Sequence, residues 1–373
     1  MDFIDLKAQQ FEIRAKIDKR IKSVLDHGKY IMGPEVYELE EKLASFANRK
    51  HCISCSSGTD ALLIPLMALN IGPGDAVLTT TFSYIATSEV IRLLGATPIF
   101  IDIYEKTYNM NPALVKNGVK FATENNLNPK ALIAVDLFGL PARYRLIKKE
   151  CEEYNLTLIE DAAQGFGGEI GEEPACSFGD ISSTSFFPAK PLGCYGDGGA
   201  IFTNSDKIHR ACRLIRLNGK NDNGNFVKIG VQGRLDTLQA SILIAKLKSF
   251  KKELKLRKSF AKKYIEAFNI NTAKIKIIGL DKFHFNSWPT FNILIKNRDK
   301  LKKFLERNNI LTKVYYNKPM PLYYPYSKFK KTTINGAKNI SKNILSLPFG
   351  PYLNYEYQNK VIKLIKKYTK KYE

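Results

Sequence analysis

Two side chains draw attention by their type and setting. Asp161 ends the apolar run LTLIED (156–161), and Lys190 lies in the loop SFFPAKPLGCYGDGGA (185–200) among proline, glycine and aromatic residues. A lysine screened from water gives up its proton more readily than a solvated one, and the free amine can condense with an aldehyde to a Schiff base. A carboxylate at a strand end can hold a proton on an aromatic ring nitrogen placed against it. Each residue also has an ordinary reading, since a strand-end aspartate is often a helix cap and a loop lysine is usually just solvated.

An amine for an aldehyde and an acid for a pyridine nitrogen together make up the pyridoxal phosphate arrangement, in which the ring becomes an electron sink. Such a cofactor also needs a phosphate cradle. SSGTDALLIPLMAL follows a strand and opens a helix, so Ser57-Gly58-Thr59 offers backbone N–H groups, with a hydroxyl on Thr59. Pro65 should kink that helix. A flat partner for the ring could come from Phe82 or Tyr84 in TTFSYIATSEVI, although by helical phase either could be core.

Positioning these residues falls to alternating strands and helices. HCISC (51–55), DAVLTT (75–80), TPIFIDI (97–103), ALIAVDLFG (131–139), LTLIED (156–161) and GAIFTN (199–204) read as buried strands. Amphipathic stretches near 59–70, 84–94, 111–125 and 142–154 read as the helices between them. The alternation predicts an α/β fold whose largely parallel sheet is covered on both faces, with ligands at the carboxyl ends of the strands. Two further helices precede it, separated by GKYIMG, and a long helical pattern follows from about Gly233. The reading divides the chain into a large domain over 1–250 and a smaller one over 251–373, the latter with a helix near 298–308 and a basic C-terminal helix. No repeat or low-complexity linker interrupts it.

Composition narrows the class. The 373 residues carry 58 Lys+Arg against 36 Asp+Glu, a net charge of +22, thickened in KLKSFKKELKLRK and IKLIKKYTKKYE. Those runs have helical spacing and little aromatic interleaving, which favours solvated helix faces over a nucleic-acid surface. The N-terminus reads as neither a signal nor a transit peptide, and no apolar run approaches the ~18–20 residues that span a bilayer. A cytoplasmic protein without membrane or nucleic-acid partners is expected. Cys52, Cys55, Cys151, Cys176, Cys194 and Cys212 read as reduced thiols; Cys52-x-x-Cys55 has no second ligand pair, so no metal is expected.

The blocks KYIMGPEVYELEEKLASFA, SSGTDAL, FSYIATSEVI, IEDAAQGFGG, SFFPAKPLGCYGDGGA, GRLDTLQASIL and SLPFGPYL, in this order, resemble the nucleotide-sugar aminotransferases of the DegT/StrS class. These are pyridoxal phosphate enzymes of the aspartate-aminotransferase (type I) fold. The resemblance implies a three-layer α/β fold with a mostly parallel mixed sheet and a smaller C-terminal α+β domain. It implies that Lys190 bonds the cofactor aldehyde and shuttles a proton, while Asp161 pairs with the ring nitrogen, Gln164 meets the ring hydroxyl and Tyr84 stacks on the ring. Thr59, the amide of Asp60 and the Ser185 hydroxyl would hold the phosphate. Gln232, just before the R-x-D-x-x-Q-A block, would reach the phosphate of the neighbouring subunit in a homodimer with shared active sites. Arg234, Tyr315 and Tyr316 are the implied sugar contacts.

Departures cluster where the sugar is read. The family often has Asn at Gln232, Asp at Arg143, a Met-His pair at Phe349-Gly350 and a His-Tyr pair near Tyr315-Tyr316. The implied reaction moves an amino group from glutamate to a nucleotide-linked keto-sugar, for amino-sugars of surface glycans, and the lysine loop favours a 3-keto over a 4-keto substrate. Sugar dehydratases on the same fold replace the lysine, generally by histidine, and Lys190 argues against that class. A basic regulatory or nucleic-acid-binding protein is the remaining alternative, without a helix-turn-helix, zinc-finger or RNA-binding signature to support it.

Overall fold

The structure is a computed structural model and describes residues 5–269, 274–281, 283–327, 329 and 332–372. The strands are β1 (His51–Cys55), β2 (Asp75–Thr80), β3 (Thr97–Ile101), β4 (Asn128–Val135), β5 (Thr157–Asp161), β6 (Glu169–Ile170), β7 (Glu173–Pro174), β8 (Ile181–Ser185), β9 (Gly199–Thr203), β10 (Ile275–Ile277), β11 (His284–Phe285), β12 (Phe291–Ile295) and β13 (Ile344–Leu347). Seven of them form one sheet in the order β1-β9-β8-β5-β4-β2-β3. β3, β2, β4, β5 and β8 run parallel, and β9 lies antiparallel between β8 and β1. The expected strand over 131–139 stops at Val135. Asp136 there accepts the Ala142 N–H and the Tyr144 hydroxyl, and Phe138 takes a positive φ of 56° that breaks the extended run.

Both faces of this sheet are buried because its strands alternate between two cores. On β4, Leu132 and Ala134 join one cluster, with Leu39, Leu43, Phe166 and Phe250. Ala131 and Ile133 join the other, with Ile64, Leu66, Val90 and Ile215. The covering helices are α1 (Leu6–His27), α2 (Pro34–Phe46), α3 (Gly58–Ala68), α4 (Ala86–Leu93), α5 (Val115–Glu124), α6 (Tyr144–Glu153), α7 (Asp206–Arg216) and the first half of α8 (Thr237–Asn269). The result is the expected three-layer α/β arrangement. Pro65 lies buried within α3.

The second half of α8 enters another core. Phe250 and Leu254 pack on the sheet, whereas Phe260, Tyr264 and Phe268 pack with Trp288, Phe291 and Leu347. The sequence-based division at residue 250 thus falls inside one continuous helix. Around the second core sit the antiparallel sheet β10-β12-β13 and helices α9 (Arg298–Arg307), α10 (Asn335–Asn343) and α11 (Tyr355–Tyr372). Asp102, just past β3, ties this region down: its carboxylate accepts the Gly336 and Ala337 N–H groups at the start of α10, at 2.9 and 3.1 Å. No helix among the described residues is long and apolar enough to cross a membrane. All six cysteines are free and buried.

Candidate active site

The parallel strands deliver their carboxyl ends to one edge of the sheet, and the loops leaving β2, β4, β5 and β8 meet there. Asp161, the last residue of β5, is 4% exposed. Thr87, in the first turn of α4, donates its hydroxyl to Oδ2 at 3.0 Å, and the Ala163 N–H donates to Oδ1 at 3.1 Å. Burial pushes the Asp161 carboxyl above its usual range, while those two donors and the nearby Lys190 charge hold it down. Lys190 responds in the complementary sense: burial pulls its ammonium below the usual lysine range and Asp161 opposes this. An uncharged amine is therefore easier to reach here than at the surface.

Gln164, in the turn after β5, accepts the Phe138 N–H at 2.9 Å and donates to the Tyr316 hydroxyl at 3.3 Å. The Tyr316 ring lies 5.8 Å from Phe82 and 6.5 Å from Tyr84. Phe82 is buried and Tyr84 is 58% exposed, so of the two aromatic candidates only Tyr84 presents a free surface. Burial and the neighbouring Asp161 push the Tyr316 hydroxyl well up, which keeps it a neutral hydrogen-bonding group. Tyr315 is half-buried beside it, with ring centroids 5.8 Å apart.

The start of α3 forms a second part of the site. A Cβ added to Gly58 would lie 2.6 Å from Ser185 Cβ and 2.9 Å from its Oγ, so only glycine leaves the gap between helix start and strand end open. Ser57 caps the helix by accepting the Asp60 N–H at 3.1 Å, which commits that amide within the chain. Thr59 is half-buried at the helix start, and Ser185 Oγ accepts the Phe187 N–H at 3.3 Å. A helix N-terminus, a glycine cradle and two hydroxyls suit a phosphate. With Asp161, Lys190, Gln164 and Tyr84 on the same edge, the residues present fit pyridoxal phosphate.

Gln232 and Arg234 lie on the segment that leads into α8. Gln232 is exposed, and Gly233 beside it accepts the Ser56 N–H through its carbonyl at 3.0 Å, which places this segment near the α3 start. Arg234 is half-buried. Arg143 leaves the edge to stack on Tyr104, at 4.4 Å from the ring centroid. Sequence reasoning missed Thr87, although it lies one helical turn from Tyr84. It also missed Ser287, whose hydroxyl donates to the Gln164 carbonyl at 3.0 Å and whose N–H meets the Gly139 carbonyl. Nothing local in the sequence signals that contact, because it spans more than a hundred residues.

Comparison with known proteins gives a consistent result. The DegT/DnrJ/EryC1/StrS aminotransferase family profile matches residues 12–366. A UDP-2-acetamido-2-deoxy-3-oxo-D-glucuronate aminotransferase from Pseudomonas aeruginosa is 41% identical over 95% of this chain and 96% of its own. A DegT DnrJ EryC1 StrS aminotransferase from Brucella abortus superposes with a TM-score of 0.96 at 40% identity, covering 99% of both chains. The Bacillus subtilis protein NtdA, solved with bound cofactor PMP, superposes at 0.89 and 26% identity over 96% of this chain and 82% of its own.

Proposed function

This chain belongs to the DegT/DnrJ/EryC1/StrS aminotransferase family, a pyridoxal phosphate-dependent one, and on that premise we propose that it transfers an amino group from glutamate to a 3-ketone of a nucleotide-linked sugar. The observation that carries the reading is the buried Asp161 carboxylate, held by Thr87 and Ala163 beside a Lys190 whose proton burial loosens. The 3-keto preference follows the form of the lysine loop and the 3-oxo substrate named for the Pseudomonas aeruginosa relative. The product would serve amino-sugar synthesis for a surface glycan, in a cytoplasmic homodimer.

When bound, pyridoxal phosphate supplies an electron-withdrawing ring that lets a C–H bond beside nitrogen be broken and remade. The remaining work belongs to this chain. Lys190 Nζ would hold the aldehyde and then, once released, take a proton from one carbon and return it to another, which its lowered affinity for protons permits. Asp161 would hold the proton on the ring nitrogen, and Thr87 and Ala163 fix its two oxygens so that it does not swing away. Gln164, pinned by the Phe138 N–H, would face the ring hydroxyl, and Tyr84 would cover the ring. Thr59, the amides at the start of α3 other than the committed Asp60 N–H, and Ser185 would hold the phosphate, joined by Gln232 of the partner subunit. Arg234, Tyr315 and Tyr316 would face the sugar.

The deciding experiment is incubation of the loaded enzyme with glutamate and UDP-linked 3-keto- and 4-ketosugars, uronate and neutral forms separately, read by mass spectrometry. Conversion of a 3-ketosugar to its amine, absent with Lys190→Ala, supports the reading; amination only at C4, or loss of water without amination, would overturn it.

A further inference from the structure

The loop that carries Lys190 is held both from within and from α8. It is tied internally by Phe186 N–H to Gly198 O (2.7 Å), Cys194 N–H to Phe186 O (2.8 Å) and Lys190 N–H to Phe187 O (2.8 Å). At Gly193 it doubles back so tightly that a Cβ there would lie 2.6 Å from the Pro188 carbonyl oxygen and 2.8 Å from that of Phe187. The position of Gly193 therefore sets the position of the turn that presents Lys190.

What sets Gly193 is α8. Lys246, 2% exposed, donates from Nζ to the Gly193 carbonyl at 2.6 Å and lies 4.4 Å from the centroid of the Tyr195 ring. Gln239, two helical turns earlier on the same face of α8, grips the next stretch of loop. Its Oε1 accepts the Tyr195 N–H at 2.8 Å and its Nε2 donates to the Tyr195 carbonyl at 3.4 Å. Gln239 is the glutamine of the R-x-D-x-x-Q-A block, for which the reaction itself has no use.

We infer that Lys246 and Gln239 are positioning residues, a two-point clamp through which α8 aims the Lys190 turn at the cofactor site. This rests on the assignment of Lys190 as the reactive lysine. An ammonium buried without a carboxylate in contact is costly, and among the described residues its direct contacts are the Gly193 carbonyl and the Tyr195 ring face. Glu253 of α8 attracts it from a distance, but that carboxylate already receives Gln9 and the Tyr352 hydroxyl. Lys7 and Gln10 of α1 and Cys194 of the loop line the cleft of about 260 Å³ beside it. Burial pulls the Lys246 ammonium down to about 8. A leucine or methionine would fill the space at lower cost, so the ammonium is retained for its charge-assisted bond to Gly193.

The test uses the loaded enzyme. Lys246→Met should lower kcat about tenfold or more while KM for glutamate and for the keto-sugar stays within about threefold, because the fault lies in aim and not in binding. Cofactor content and Tm should be nearly unchanged. Gln239→Leu should lose rate in the same direction, Gln239→Glu should recover most of it by keeping the acceptor for the Tyr195 N–H, and the double variant should lose less than the product of the singles, since both act on one loop. Should Lys246→Met fail to fold, the Gln239 pair decides alone. Folded variants with kcat within about twofold of wild type, or losses confined to KM or cofactor content, would overturn the clamp. Full turnover by Lys190→Ala would instead overturn the assignment of Lys190, so the two failures are separable.

Discussion

Asp161 is 4% exposed and receives hydrogen bonds from Thr87 and Ala163, with Lys190 nearby. Two donors do not outweigh its desolvation, so folding raises its affinity for a proton. The sign for stability follows from linkage. A carboxyl that binds its proton more tightly folded than unfolded costs stability as pH climbs from the ordinary carboxylate range, near about 4, through its raised value. The cofactor-free protein should therefore be held back at neutral pH by this one group. Asp161→Asn, nearly isosteric and untitratable, should raise the Tm of the cofactor-free protein at pH 7.5 and lose that advantage near pH 4. The same change should reduce turnover of the loaded enzyme at least about tenfold, a barrier increase of ~1.4 kcal/mol or more, because an amide cannot hold a ring proton by opposite charge. Thermal melts of the cofactor-free forms at both pH values, alongside kcat, check the pair of effects. A variant less stable at pH 7.5 would show that the carboxylate is already well paired without the cofactor.

Asp102 shows what an element requires from elsewhere in the chain. Helix α10 starts at Asn335 with no side-chain cap of its own, and the Asp102 carboxylate supplies one from just past β3, more than two hundred residues earlier in the chain. It also accepts the Thr81 hydroxyl and the Ile103 N–H. Asp102→Ala leaves those buried donors unmet and should cost about 2–4 kcal/mol in urea unfolding, with Asp102→Asn recovering part. A loss below about 0.5 kcal/mol would mean that α10 is held by packing alone. Such long-range capping is invisible to a reading of local pattern, and the same reasoning explains which strands were legible. β2, β4 and β5 each contain a buried apolar stretch, at 76–78, 131–135 and 158–159, that reads as a strand. β8, ISSTS, is equally buried yet polar, because its hydroxyls are consumed: Ser182 by the Glu160 carboxylate, Ser183 by the Glu160 carbonyl and Thr184 by the Ala162 carbonyl. Hydrophobic periodicity cannot find a strand whose core-facing groups are hydroxyls with partners. In the site, Lys190 and Asp161 were legible because each stands in a distinctive local setting, whereas Thr87, Ser287 and the Gln164–Tyr316 contact depend on where the chain returns.

At the scale of the whole molecule, the segment around Gln232 is exposed where a lone subunit has no use for exposed apolar groups. Phe226 is 73% exposed and Ile229 87%, in the loop that leads to Gln232. A second copy covering this loop would bury them, and a symmetric pair makes each contact twice. Gly233 also lies near the α3 start of its own chain, with the Asp60 carboxylate 3.8 Å from the place of a Cβ, so Gln232 has a rival route to its own site. Mixing separates the two. Gln232→Ala and Lys190→Ala should each be nearly inactive alone at ~0.15 M salt, where screening tempers repulsion between two chains of +22. If Gln232 serves the partner, a mixed dimer has one site with neither defect and one with both, and random re-pairing yields about half of the dimers mixed. One sound site in half the dimers is a quarter of the sites present, so activity should return to about a quarter of the wild-type level at equal total protein. If Gln232 serves its own chain, every site in the mixed dimer keeps one defect and no activity returns. Cofactor should also tighten the dimer, since binding across the interface shifts association by mass action, and sedimentation at low micromolar protein with and without it measures that shift.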